Sequence, residues 1–478
     1  MEETVYKPVN HVRFVTAASL FDGHDAAINI MRRILQSSGA EVIHLGHNRS
    51  VSDVVSTAIQ EDVQGIAISS YQGGHMEYFK YMCDLLRERG SSHIRVFGGG
   101  GGVIVLSEIR ELEEYGVAKI FSPEDGMSLG LQGMINYMLQ TCDFPLSNQG
   151  EGESADALKR RDSTAVARAL TVIESPSPVG KGVVVSVGDA SGRREAGGDG
   201  FAVPLDASGR AGRSGEAVAP VIGITGTGGA GKSTLTDELV RRFLYDFEDL
   251  EIAVLSVDPT RARTGGALLG DRIRMNALYG RGGDRVYMRS FATREANRAT
   301  SSALRHAVRL CRDVGFDLVI LETAGIGQSD VEVSELSDLS LYVMTQEFGA
   351  PTQLEKIGML DVADFVAINK FERRGSEDAL RDVRKQVQRN RGEWNSPVES
   401  MSVYPTMAAR FNDVGVTRLY LGLLEALNRR LEFGRESRTQ DKEPVETVIG
   451  PSANLRGTLR SDGGIRIDGA FEGVIEAF

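Results

Sequence analysis

Two stretches of this chain, from about Val12 to Leu139 and from Val221 to Phe433, alternate short apolar runs with amphipathic segments, and that alternation restricts the fold more than any other feature. In the first stretch the runs RFVTA, EVIHLG, GIAISS, IRVFGGG and AKIFS are separated by segments such as DAAINIMRRILQSSGA and MEYFKYMCDLLRERG. Apolar runs of this kind suit strands covered on both faces, and parallel neighbours need helical crossovers of a dozen or more residues. The spacing therefore predicts α/β architecture: a doubly wound parallel sheet with right-handed crossovers. Such sheets bind ligands beyond the carboxyl ends of their strands, where FDGHD, SSYQGGH and GGGGG fall. The second stretch repeats the pattern with VIGIT, IAVLSVD, RVYMRS, DLVILET, LSLYVMT and DFVAINK.

With 478 residues, two or three cores are expected. Residues 12–143 and 221–435 are read as the two α/β domains. Residues 144–220 join them through a helix at 163–174 and a Gly, Ser, Pro and Ala-rich stretch too poor in large apolar side chains to order itself. Within it, GKGVVVSVG is an ambiguous short run, strand or linker. Residues 443–478 carry short alternating runs with Gly at the corners, which fit antiparallel hairpins or a β-solenoid turn. A net charge of −12 disfavours nucleic acid as a partner. Three scattered cysteines, Cys83, Cys142 and Cys311, argue against a disulfide framework or thiolate metal cluster. With no apolar run of membrane-spanning length and no leader-like start, the expectation is a cytoplasmic protein with no membrane partner.

Gly226-Thr-Gly-Gly-Ala-Gly-Lys232-Ser233 follows the run VIGIT and opens the helical segment STLTDELVRRFL, the context in which G-x-x-x-x-G-K-S binds phosphate. Gly226, Gly229, Ala230 and Gly231 let backbone N–H groups curl round phosphate oxygens, with Thr234 in the first helical turn. Lys232 reaches the β and γ phosphates and the Ser233 hydroxyl suits magnesium. Asn369-Lys370-Phe371-Glu372 ends the run DFVAINK, where an amide and a carboxylate can grip a guanine edge while the Lys370 stem packs over the ring; Glu372 stands where Asp is usual. Glu322-Thr-Ala-Gly325 ends another run, in the place of the acid and glycine that sense magnesium and the γ-phosphate, so the following IGQSD is expected to be a switch.

The segments SVDPT, TGGALLGDRIRM, ETAGIGQSD and NKFE, in this order, resemble the metallochaperone GTPases that serve adenosylcobalamin-dependent acyl-CoA mutases. That resemblance implies GTP and Mg2+, the metal held by Ser233, Asp258, Asp271, Glu322 and the backbones of Val257 and Thr323. It also implies a phosphate-side contact from Arg274, base contacts from Asn369, Lys370 and Glu372, and catalysis centred on Lys232, Glu322 and Asp271. Hard oxygen donors are what magnesium prefers. Without the family context, Asp271 and Arg274 would read equally well as a solvated ion pair one helical turn apart.

Asp22-Gly23-His24-Asp25-Ala26-Ala27 follows the first run of the chain. A lone loop histidine is ordinarily a surface residue, but Asp22 can hold one imidazole nitrogen and raise the basicity of the other toward a metal. The pattern resembles the D-x-H-x-x-G signature of base-off cobalamin-binding domains, with Ala27 where Gly is usual. Ser69-Ser70-Tyr71 and Gly98–Gly102 resemble its companion signatures. The resemblance implies a flavodoxin-like, Rossmann-like cobalamin-binding domain followed by the P-loop NTPase domain and the β-rich tail. His24 would be the cobalt ligand, and Asp22, Ser69, Gly98, Gly101 and Gly102 would surround the cofactor's benzimidazole arm. His44, His47 and His75 are read as local loop histidines.

Together these segments resemble fused isobutyryl-CoA mutase over residues 12–143 and 163–435, in the same order. In that family a substrate-binding barrel comes next. Residues 443–478 cannot hold a (β/α)8 barrel of about 250 residues, and IRIDGAFEGVI instead resembles a bactofilin-type β-helix. The leading expectation is an adenosylcobalamin-binding GTPase that gates cofactor loading or protection for a separate mutase barrel subunit, with a cobalamin adenosyltransferase and further copies of the chain as other partners. Two alternatives stand beside it: a truncated fused mutase without isomerase activity of its own, and a corrinoid sensor or carrier tethered through its tail.

Overall fold

The computed structural model describes residues 4–146, 155–174, 219–260, 264–293, 297–323, 329–349, 354, 357–439, 445–449, 454–461, 464–467 and 470–477. The GKGVVVSVG run lies outside these residues. The first stretch supplies β1 (Arg13–Ser19), β2 (Glu41–Arg49), β3 (Gly65–Ser69), β4 (Arg95–Gly99) and β5 (Lys119–Phe121), all parallel, in the order β5-β4-β3-β1-β2. Successive residues of β1 serve opposite faces: Val15 and Ala17 pack with Ile43, Val54 and Leu86, whereas Phe14 packs with Phe97, Ile135 and Leu139. Strand order reverses between β1 and β3, so the loops after them flank the crevice where doubly wound sheets bind ligands.

The last helix of this unit, Pro123–Cys142, starts at a reciprocal cap in which Ser122 Oγ accepts from the Asp125 N–H at 3.1 Å and Asp125 accepts from the Ser122 N–H at 2.9 Å. It kinks at Gly130.

The second stretch forms β6 (Val221–Gly226), β7 (Ile252–Asp258), β9 (Val286–Ala292), β10 (Leu318–Glu322), β11 (Leu339–Met344), β12 (Phe365–Ile368) and β13 (Val403–Pro405), a parallel sheet ordered β13-β12-β11-β6-β10-β7-β9. Helix Lys232–Asp246 packs its Leu235, Leu239 and Phe243 against Ile222 and Ile224 of β6, with Tyr420 on the same cluster. At the foot of this helix, buried Asp246 accepts from the Tyr420 hydroxyl at 2.6 Å, from Thr439 Oγ1 at 2.7 Å and from Ser437 Oγ. The strap after the final helix, Val414–Leu431, is thereby pinned to it.

One strand crosses between the halves. β8 (Ala267–Leu269) belongs by sequence to the second stretch, yet it pairs in parallel with β2 through Glu41↔Ala267, Val42↔Leu268 and Ile43↔Leu269, as the sixth strand of the first sheet. Its approach is tight enough to require glycine: a Cβ on Gly266 would stand 2.0 Å from the Gln36 carbonyl. Beside it lies a buried ionic lattice. Arg272 Nη1 donates to Glu61 at 3.0 Å, and the same carboxylate accepts from Ser290 N–H and Oγ, each at 3.0 Å. Arg13 joins Glu41 at 2.7 Å and Glu174 at 2.8 Å and donates to the Ser290 carbonyl at 3.0 Å. Arg289 closes the lattice on Glu174, the last residue of helix Ser163–Glu174.

The tail forms β14 (Val445–Ile449), β15 (Asn454–Ser461), β16 (Gly464–Ile467) and β17 (Ala470–Ala477). β14 pairs with β16 and β15 with β17, both in parallel, so two rungs of a solenoid form and the antiparallel hairpin alternative is set aside.

Truncating one member of a buried ion pair strands the other's charge, which typically costs about 3–5 kcal/mol. Glu61→Ala is therefore expected to lower stability to chemical denaturation by about that amount. A loss under about 1 kcal/mol would mean that Arg272 and Arg13 find compensation elsewhere.

Candidate functional site

The phosphate loop runs from the end of β6 into helix Lys232–Asp246. Gly231 has φ +89°, and a Cβ there would stand 2.6 Å from Asn369 Nδ2, so backbone and packing both require glycine. Asn369 is buried after β12 and ties two loops together: its Nδ2 donates to the Ala230 carbonyl at 2.8 Å, and its Oδ1 accepts from the Ala408 N–H at 3.0 Å and the Thr406 hydroxyl at 3.3 Å. Lys370, with a left-handed φ of 58°, donates from Nζ to the Gly229 carbonyl at 2.7 Å. Asn369 and Lys370 thus meet the phosphate loop directly, while Glu372 is exposed beside them. No sequence motif marks Thr406 or Ala408 as partners of Asn369.

Lys232 Nζ lies 3.1 Å from the Gly226 carbonyl and 3.3 Å from that of Thr227. Ser233 Oγ is 2.8 Å from Asp271 and 2.7 Å from Glu322, and Ser256 Oγ donates to the other Asp271 oxygen at 2.7 Å. Asp258 accepts from the Gly270 N–H at 3.0 Å, and Arg274 pairs with Asp271 at 2.8 Å. Val257 precedes Asp258 at the end of β7, and Thr323 follows β10 with its hydroxyl on Thr225 at 3.0 Å. Residues separated by up to 89 positions therefore converge on one hydroxyl. Among the described residues the acids do not by themselves close a metal cage. Ser233 is their common neighbour, and an all-oxygen donor set of this kind fits magnesium. Of the expected switch IGQSD, residues 326–328 lie outside the described residues and Ser329 begins helix Ser329–Leu336.

The acids repel one another. Burial, reinforced by the negative charge of Asp271 and Glu322, pushes the Asp258 carboxyl up to about 8; burial and Asp271 push Glu322 up to about 7.

At the other site, Asp22 is fully buried and spends both oxygens. Oδ1 accepts from the His24 N–H at 2.8 Å and from His24 Nδ1 at 2.9 Å; Oδ2 accepts from the Tyr71 N–H at 2.6 Å. Burial raises this carboxyl, but the hydrogen bonds outweigh it and hold Asp22 below its ordinary value. The carboxylate fixes the imidazole by Nδ1 and leaves Nε2 for a ligand, on a side chain 70% exposed. The Tyr71 ring lies 5.7 Å away.

Behind this loop is a cavity of about 280 Å3 between β3, β4 and the kinked helix. Ser69 and Gly98–Gly101 line it, as do Ala27, Phe97, Phe121, Met134 and Met138. The Ser69 hydroxyl is buried without a hydrogen-bond partner. An apolar slot with one unsatisfied hydroxyl matches a flat aromatic base carrying a ring nitrogen. Gly102 is exposed next to this wall and does not line it. The large apolar wall residues were missed because helix methionines and strand phenylalanines read as ordinary core. His44 is no loop residue: it sits buried in β2 with Nδ1 2.9 Å from the Thr16 hydroxyl, and burial pushes it down to about 4. His75 begins helix His75–Glu88 and contacts Glu108 at 3.0 Å.

Comparison with known proteins supplies the class. Residues 207–414 match the methylmalonyl Co-A mutase-associated GTPase MeaB, and residues 12–126 match the B12 binding domain. The chain therefore matches a B12 binding domain followed by a MeaB-type GTPase domain.

It is a homologue of the fused isobutyryl-CoA mutases. That of Geobacillus kaustophilus is 58% identical over 426 residues and that of Cupriavidus metallidurans 59% over 424, covering 89% and 88% of this chain. The same alignments cover 37% and 36% of those proteins, so the chain spans a little over a third of the curated relatives' length. The GTPase ArgK of Escherichia coli is 38% identical over 149 residues, 31% of this chain and 44% of that protein.

Because Asp258 and Glu322 are raised, a cation that needs them ionised must displace protons. Magnesium affinity in the presence of GTP is expected to strengthen between pH 6 and 8, by at most about tenfold per unit for each proton displaced. Conversely, the metal-free fold should lose stability as pH rises from the ordinary carboxylate range through about 8. Calorimetric titration in two buffers of different ionisation enthalpy would report the proton release, and a pH-independent affinity would contradict it.

Proposed function

We propose that this chain is the cofactor-binding and G-protein portion of an acyl-CoA mutase system, of isobutyryl-CoA or methylmalonyl-CoA type. It would hold adenosylcobalamin at His24 and hydrolyse GTP at the Ser233 pocket, using nucleotide state to gate cofactor loading or protection. The observation that carries this reading is β8: the segment that reaches Asp271 is hydrogen-bonded into the sheet whose β1 leads to Asp22 and His24.

At the corrinoid site, Asp22 orients His24 and supports its basicity as the lower cobalt ligand. Ser69 is placed to donate to a ring nitrogen of the displaced benzimidazole. Gly98 and Gly101 would offer the slot bare main chain beside Ala27 and the larger apolar walls, and Gly102 continues the turn. The cofactor itself, when bound, supplies the homolytic cobalt–carbon chemistry. Exposed apolar side chains of the same unit, Phe21 at 80% and Met127 at 80%, support a partner surface over this end of the sheet.

At the nucleotide site, the N–H groups of Gly229, Ala230, Gly231, Lys232, Ser233 and Thr234 face the phosphates, following Gly226. Lys232 would exchange its two carbonyl contacts for β and γ oxygens. Ser233, Asp258, Asp271 and Glu322, with the carbonyls of Val257 and Thr323, would hold magnesium; Arg274 lies on the phosphate side through its pair with Asp271. Asn369 would present its remaining amide hydrogen to guanine, Lys370 its stem and Glu372 its carboxylate. Lys232, Glu322 and Asp271 carry the electrostatic part of catalysis.

The relatives' names support an acyl-CoA mutase catalytic unit as the partner, and a cobalamin adenosyltransferase is proposed as the source of loaded cofactor. Among the described residues no helix is long and apolar enough to cross a membrane, and the three cysteines are free and buried; the reading places the chain in the cytoplasm.

Adenosylcobalamin titrated into the wild-type chain should give the spectrum of a histidine-ligated, base-off corrinoid, and His24→Ala should lose that signature while keeping GTP hydrolysis. Ser233→Ala should do the reverse, lowering GTP turnover by about 100-fold or more through loss of a metal ligand and phosphate-loop donor. Isobutyryl-CoA turnover should appear only when a barrel subunit is added; turnover by this chain alone would refute the division of labour.

A further inference from the structure

Phe21, the residue before Asp22, has a left-handed backbone with φ +64°, a conformation that a bulky side chain adopts only where its surroundings impose it. Its N–H donates at 2.9 Å to Oδ1 of Asn48, and the Asn48 N–H donates at 3.3 Å to the Asp22 carbonyl. Asn48 is itself left-handed, with φ +56°, which asparagine tolerates better than most residues. One residue near the end of β2 thus grips the main chain at both ends of the Phe21–Asp22 dipeptide.

The sheet is distorted to bring Asn48 there. Thr16 of β1 faces His44, Ala17 faces Gly46 and Ser19 faces Arg49, so β2 advances five residues while β1 advances three. Bulges of this kind re-aim side chains beside binding sites. The distorted stretch is also where the second half of the molecule meets β2. Gly46 has φ +79°, and a Cβ there would stand 3.0 Å from Ile273 Cδ1. The Arg49 guanidinium lies 4.7 Å from the centre of the Tyr279 ring. Arg49 Nε donates to the Leu45 carbonyl at 2.7 Å, and the Arg49 carbonyl accepts from the Tyr78 hydroxyl at 2.9 Å.

We infer that the bulged end of β2 is a bracket for the cobalt ligand, in which Asn48 is a positioning residue for His24 and Tyr279 of the second half seats the bracket. This rests on the reading of His24 as that ligand. Asp22 fixes the imidazole relative to its own main chain, and Asn48 fixes that main chain relative to the sheet. Asn48 acts through His24, without a contact to cobalt of its own.

Adenosylcobalamin titrated into the 478-residue chain tests this, read both as a dissociation constant and as the absorption signature of a histidine-ligated corrinoid. Asn48→Gly keeps the left-handed backbone and loses the acceptor; it should weaken binding about five-fold, the effect of one lost hydrogen bond. Asn48→Asp retains an acceptor and the same backbone tolerance, and should stay within about two-fold of wild type. Tyr279→Leu removes the ring under Arg49 and should weaken binding about two-fold or more. In a His24→Ala background, Asn48→Gly should have no further effect, since the two residues act in series. Thermal denaturation without corrinoid should give the same midpoint for Asn48→Gly and Asn48→Asp, so that their difference reports the acceptor and not the fold.

A wild-type chain indistinguishable from His24→Ala would remove the cobalt-ligand reading itself, and the bracket with it. With that reading intact, the bracket alone is overturned if Asn48→Gly binds as wild type does, if Asn48→Asp is as weak as Asn48→Gly, or if Asn48→Gly weakens the His24→Ala chain equally. Unchanged binding by Tyr279→Leu would overturn the seat on the second half.

Discussion

The relation between the two halves of this molecule depends on three residues, Ala267–Leu269, which the second half contributes to the sheet of the first. Two positions beyond them stands Asp271, held to Ser233 and Ser256; two strands away, across β2, is β1 and the loop of Asp22 and His24. A strand bonded into a parallel sheet cannot slide by one residue without turning its side chains to the opposite face. The segment between β7 and β9 is therefore anchored at its middle, and what happens to Asp271 is felt at a sheet edge rather than in a free loop. The lattice of Arg13, Glu61, Glu174, Arg272 and Arg289 surrounds that anchor, and its Arg272–Glu61 pair joins one half to the other.

The two sites are prepared in opposite ways. At His24, the buried carboxylate of Asp22 is satisfied by three hydrogen bonds before any ligand arrives, so the imidazole is already oriented. Around Ser233 the acids are crowded and raised, a site whose own electrostatics favour arrival of a divalent cation. One site is organised without its cofactor, and the other is relieved by it.

Much of this was legible in the amino-acid sequence, for identifiable reasons. Five of the six strands of the first sheet and six of the seven of the second are legible in the spacing of apolar runs, and the phosphate loop in its glycines in strand-to-helix context. The Asp22–His24 pairing followed from two side chains two residues apart. β8 was not legible, since three apolar residues in a glycine-rich stretch say nothing about a partner more than 200 positions away. The walls of the corrinoid cavity, Met134 and Met138 among them, carry the same helical periodicity as core residues. In the tail, alternation with period two marks strands but not their direction, and pairing alone decided for the solenoid.

Helix Lys232–Asp246 deserves a mechanical description. Its first turn abuts the phosphate loop, and its last residue grips the strap that leads toward the solenoid through Thr439 and Ser437. Fifteen residues at about 1.5 Å each make a rigid rod of about 22 Å. A rod held at both ends ties the phosphate loop and the strap after the final helix into one stiff unit, so the spacing between them is set by the helix length.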